Sequence, residues 1–145
     1  NPSPLISYQL YARYKITNKD DIISFYIDYY QFTGGAHGIT NRVAYNIDVA
    51  TGNELKLEDI FKKEFLYKDV INNEISRQIK KDPDRYFTGK DGFNGINENQ
   101  NFYIKNKKLV IYFELYEIAP YASGISEFVI PNKIIKENMK YYEVL

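Results

Sequence analysis

The residue best suited to acid–base or ligand chemistry is the only histidine, His37. It sits among three glycines in Thr33-Gly34-Gly35-Ala36-His37-Gly38. Glycines permit backbone angles other residues avoid, so this stretch can present an imidazole on a loop as a ligand contact or general base. It can equally be a tight connection whose His37 satisfies a backbone group. No Gly-Lys-Ser or Gly-Lys-Thr follows it, so it is not a phosphate-binding loop.

A second region, Tyr116-Glu117-Ile118-Ala119-Pro120-Tyr121-Ala122-Ser123-Gly124, combines aromatic rings, small residues and a proline. Such a segment can form a rigid surface with a few polar handles, suited to sugars or proteins. It also reads as a strand-to-strand crossover fixed by Pro120 and Gly124. Glu114 and Glu117 could supply the two carboxylates of a glycosidase, although solvent-facing positions explain them better. His37 with Ser123 or Ser126 and Asp28 or Asp48 could be drawn as a serine triad, but no Gly-x-Ser-x-Gly accompanies them. One histidine and no cysteine leave no zinc set. Asp82, Asp84, Asp91, Asn94 and Asn97 depart from calcium-loop spacing. No metal or cofactor is expected.

The expected ligand-binding residues are therefore His37, Gly35, Gly38, Tyr116, Glu117, Tyr121 and Ser123. Alternation with period two positions them. Apolar even positions from Ile6 to Ile16 and odd positions from Ile23 to Tyr29 predict a long hairpin of half-buried strands, and Val43 to Val49 a third strand. Leu57 to Phe61 suits one helical turn. Tyr67, Val70, Ile71, Ile75 and Ile79 predict an amphipathic helix between Leu66 and Lys81, stopped by Pro83. Residues 84–101 read as a long, partly mobile loop, Phe102–Ile104 and Leu109–Tyr116 as a second hairpin, Glu127–Ile130 as a last strand and Pro131–Met139 as a short helix. The fold class is α+β: an antiparallel β-sheet with one main amphipathic helix packed on it and a short C-terminal helix.

The totals fit one domain over residues 1–145, with 15 Tyr and 9 Phe but no Trp. Lys plus Arg equals Asp plus Glu, 19 each, and no basic run appears, so no field draws nucleic acid. No stretch reaches the roughly 18 apolar residues of a membrane span. The start at Asn1-Pro2-Ser3-Pro4 suggests a processed chain or excised domain with a signal or anchor upstream. Lys outnumbers Arg 15 to 4, and Asn, Ile and Tyr are abundant, which points to a low-GC bacterial source.

Three segments in order carry a family resemblance: Gly34 to Gly38 after an aromatic strand, Tyr45-Asn46-Ile47-Asp48 through Gly52 to Phe61, and Tyr116 to Gly124 leading to Val129-Ile130-Pro131. Over residues 5–135 or so the chain resembles an exported bacterial domain of unknown function. That domain forms the extracellular part of the lysozyme-sensing anti-sigma factor RsiV and the non-catalytic region of the peptidoglycan deacetylase PdaC. The resemblance implies an extracytoplasmic location, a helix against an antiparallel sheet, and no catalytic residues. It also implies a recognition role towards a cell-envelope protein such as lysozyme, or towards peptidoglycan. Protein ranks ahead of glycan because Trp is absent. The rival readings are a cell-wall hydrolase or esterase using His37, and a structural accessory domain of a deacetylase.

Overall fold

The computed structural model describes residues 7–142. Ile6 and the Asn1–Pro4 stretch, on which two of the sequence expectations rest, lie outside that range. Alternation produces strands where it predicted them: β1 (Gln9–Lys19), β2 (Ile22–Phe32) and β3 (Ile39–Asp48) form one antiparallel sheet in that order. After a 3₁₀ turn at Leu57–Ile60 and helix α1 (Tyr67–Ile79), strands β4 (Phe102–Lys105), β5 (Lys108–Phe113) and β6 (Ser126–Ile130) form a second three-stranded antiparallel sheet. Helix α2 (Asn132–Ile135) follows and runs into a further 3₁₀ turn.

The α+β class holds, with two sheets where one was expected. The main core lies between α1 and the second sheet, where Ile71 and Ile75 meet Phe102, Ile104, Leu109, Ile111, Phe113, Phe128 and Ile130. Leu57, Ile60, Phe61, Ile135 and Met139 close it. The stretch 84–101 is tied down at several points. Asn94 Nδ2 donates to the carbonyls of Gly89, Lys90 and Gly92, and Asn72 Oδ1 accepts the Ile96 N–H at 2.9 Å. Tyr86 and Phe93 pack their rings on Phe128 and Phe113.

The first sheet differs from the expectation in which face it buries. In the β1–β2–β3 register, Leu10, Ala12, Tyr14 and Ile16 share a face with Ile23, Phe25, Ile27 and Tyr29 and with Ile39, Val43, Tyr45 and Ile47. That apolar face is turned to solvent; Leu10 is 74% and Tyr14 75% exposed. The opposite, more polar face packs on the second sheet. Asn46 Nδ2 donates to Phe102 O at 3.0 Å, Thr17 Oγ1 to Ile104 O at 2.6 Å, and the Ile104 N–H to Ser24 Oγ at 2.9 Å. Among the described residues the outer edge of β4 has no strand partner, and these side chains satisfy backbone groups that would otherwise be buried unpaired. A small second core of Tyr103, Val110 and Tyr112 against Tyr26 and Ala44 completes the joint.

Candidate functional site

His37 lies in the connection from β2 to β3. Gly34 and Gly35 take φ of +104° and +98°, which side chains other than glycine rarely adopt. Gly38 favours glycine for a different reason: a Cβ there would sit 2.4 Å from the Tyr30 ring. The loop is pinned from the second sheet. After Pro120 a 3₁₀ turn at Tyr121–Ser123 directs Tyr121 Oη to donate to Gly38 O at 3.0 Å. The Tyr121 ring then stacks on the imidazole, with centroids 3.7 Å apart and planes at 14°. Tyr116, at φ +66°, brings its hydroxyl to 3.5 Å from His37 Nε2 and its ring to 5.8 Å from that of Tyr121. β5 ends at Phe113, short of the Tyr116 expected, because this turn carries the chain out of the sheet.

The structure thus assembles His37, Gly38, Tyr116 and Tyr121, with Gly35 exposed in the same loop. It does not bring Glu117 and Ser123 into that cluster's hydrogen bonds. Glu117 Oε2 accepts the Glu114 N–H at 2.8 Å, closing the turn that contains Tyr116. Ser123 Oγ donates to Arg85 O, and Arg85 Nη2 donates back to Ser123 O, both at 2.9 Å. The other groups weighed for catalysis are also engaged elsewhere: Asp28 with Arg42, Asp48 with Tyr141, and Glu114 with the Arg42 N–H. Ser126 is buried on β6. The hydrogen-bonding groups found next to His37 are its neighbour's carbonyl and the Tyr116 phenol.

Beside this cluster lies a feature the sequence reading passed over. The Arg42 side chain, 8% exposed, is gripped by Asp28 through Nε at 2.8 Å and Nη2 at 3.0 Å, and by Glu127 through Nη1. Its guanidinium carbon lies 3.8 Å from the Tyr26 ring centroid, with Tyr103 and Tyr112 beyond. Burial works against its charge, but the two carboxylates outweigh that and hold its proton more tightly than usual. Burial pushes the Glu114 carboxyl above its usual range and pushes the Tyr103 and Tyr112 phenols up. One signal was legible: only four arginines occur among so many lysines, and a planar fork suits a bidentate buried pair.

Arg42 floors a cleft of about 460 Å³ whose walls include Thr40, Leu115, Tyr121, Ile125 and Glu127. A second cleft of about 420 Å³, lined by Tyr11, Arg13, Asp28 and Tyr30, shares Thr40 with it. Tyr121, which stacks on the imidazole, therefore also lines a groove braced by the Arg42 ion pair. That arrangement offers stacking and hydrogen bonding to a docked surface.

A family model described as a protein of unknown function, DUF3298, matches residues 58–133, and one described as deacetylase PdaC matches residues 1–40. The chain is 33% identical over 135 residues to the anti-sigma-V factor RsiV of Bacillus subtilis, covering 87% of this chain and 47% of that protein. It is 27% identical over 137 residues to the peptidoglycan-N-acetylmuramic acid deacetylase PdaC of the same organism, covering 91% of this chain and 29% of that one. The chain therefore spans about half or less of these relatives. Among solved structures, a DUF3298 family member from Bacteroides fragilis superposes with a TM-score of 0.73 at 25% identity, covering 99% of this chain and 58% of that one. A DUF3298 protein from Pseudomonas aeruginosa gives 0.67 at 20% identity, over 93% and 63%.

Proposed function

The chain belongs to the DUF3298 family, and from that premise we propose that it is an extracytoplasmic recognition domain of a bacterial cell-envelope protein. Its ligand is a protein such as lysozyme, with a peptidoglycan fragment as the second choice. The observation that carries this reading is the exposed imidazole stacked on Tyr121 at 3.7 Å, with the Tyr116 phenol beside it. Rigid aromatic groups with polar tips give large contact area at low entropic cost, as interface anchors do. Similarity to RsiV, an anti-sigma factor, and to PdaC, which acts on peptidoglycan, supports an envelope setting. Among the described residues the hydrogen-bonding partners of this imidazole are a backbone carbonyl and the Tyr116 phenol, a pairing that supports recognition over catalysis.

Titration calorimetry of the chain with lysozyme and with soluble muropeptides tests the proposal. Binding of one of them is expected, weakened at least tenfold by His37→Ala or Tyr121→Ala, with unchanged circular dichroism. No heat with either ligand overturns the reading. Cleavage of the muropeptides that depends on His37 replaces it with a hydrolase or esterase.

A further inference from the structure

The first sheet exposes the face that its sequence pattern would place inside. Alternate residues from Leu10 to Ile16, Ile23 to Gln31 and Ile39 to Ile47 form one continuous surface on which no residue is charged. Of the charges of these strands, Arg13, Lys15, Asp28, Arg42 and Asp48 project from the other side, and Lys19, past the bulge and opposite Ile23, stands at the end of the apolar one. Seven large apolar side chains of that surface stand exposed: Leu10, Tyr14, Ile16, Ile23, Tyr29, Ile39 and Val43. At about 100 Å² each they present roughly 700 Å², beyond the largest patch of a typical monomer and close to the roughly 800 Å² per partner of a standard stable interface.

We propose that the occupant of this face is a second copy of the same chain, the two β1–β2–β3 sheets packing face to face about a two-fold axis. A two-fold contact sets a surface against itself, so any charge near the axis would meet its own like. The centre of this surface carries none, and its one charge, Lys19, stands at the strand end away from Tyr14, Tyr29 and Val43. Two sheets stacked about 10 Å apart, as in a sandwich, would interdigitate Tyr14, Tyr29 and Val43 with their counterparts. The His37 cluster lies in the loop beyond this sheet's strands, so dimerisation and ligand binding are separable.

Sedimentation velocity of the intact chain over about 1 to 200 µM gives the test. A concentration-dependent dimer is expected. Tyr14→Lys and Val43→Lys should each weaken it at least tenfold with native circular dichroism, while Lys15→Glu, on the reverse of β1, and Val129→Lys, on β6, should leave it unchanged. A monomer at every concentration overturns the proposal and leaves the face to another partner. A dimer that survives both face substitutions, or is broken by Lys15→Glu, also overturns it.

Discussion

Replacing Arg42 by methionine removes a guanidinium held mainly by Asp28 on the neighbouring strand β2 and reaching Glu127 on β6, while keeping most of the side chain's apolar length. Breaking a buried ion pair by removing one partner typically costs 3–5 kcal/mol, largely because a carboxylate is left unpaired. Here Asp28 keeps 26% of its side-chain surface and Glu127 40%, so solvent relieves part of that cost and the Glu127 arm counts for little. Loss of the close contact with the Tyr26 ring adds a further fraction. The expected destabilisation is about 3 kcal/mol, or a melting temperature lowered by about 12 °C for a chain of this size. Because there are 15 Tyr and no Trp, urea unfolding followed by tyrosine fluorescence and circular dichroism reads it directly. Asp28→Asn should cost about 2 kcal/mol in the native background but almost nothing beside Arg42→Met, since the stranded carboxylate is then gone. A loss below about 1 kcal/mol for Arg42→Met, or equal costs of Asp28→Asn in both backgrounds, would refute the reasoning.

Gly92→Ala places a Cβ 2.3 Å from the Phe87 backbone carbonyl, so a main-chain shift is unavoidable and a loss of about 2 kcal/mol is expected in the urea midpoint. The Arg77 hydrogen bonds hold the Glu74 carboxyl at about 2, against the opposing effect of burial and with help from Gln78. A depressed pKa stabilises above the ordinary carboxylate range and is lost as pH falls towards 2, so Arg77→Ala should move that acid loss up towards 4.5 in urea midpoints taken between those values. Arg77 is half exposed, so solvent screens the pair and keeps the effect at neutral pH small. His37 is the only histidine, so its ring protons are identifiable by NMR. They should be shifted upfield by the Tyr121 ring, retain that shift in Tyr121→Phe and lose it in Tyr121→Leu.

Much of the fold was legible because repeat period reports backbone type. The predicted helix between Leu66 and Lys81 is realised as Tyr67–Ile79, and the turn at Leu57 and the helical stretch after Pro131 fall where expected. Part of the candidate site was legible too. Glycines around the histidine and a proline between two tyrosines marked both halves of the His37–Tyr121 stack. Glu117 and Ser123 lie close to these residues in sequence, but their side chains pair with the backbone of Glu114 and Arg85 instead. Arg42 escaped notice because a lone charged residue on a strand reads as solvent-facing until its partners, 14 and 85 residues away, are known.

By itself the sequence determined which segments become strands and helices and which two loops carry ring-bearing polar groups, because those properties follow from local periodicity and backbone freedom. Only the tertiary structure decided which face of each strand is covered. Alternation states that a strand has two unlike sides and is silent on which one meets the rest of the protein. In the first sheet the polar side won, because Thr17, Ser24 and Asn46 supply the hydrogen bonds that the bare edge of β4 requires.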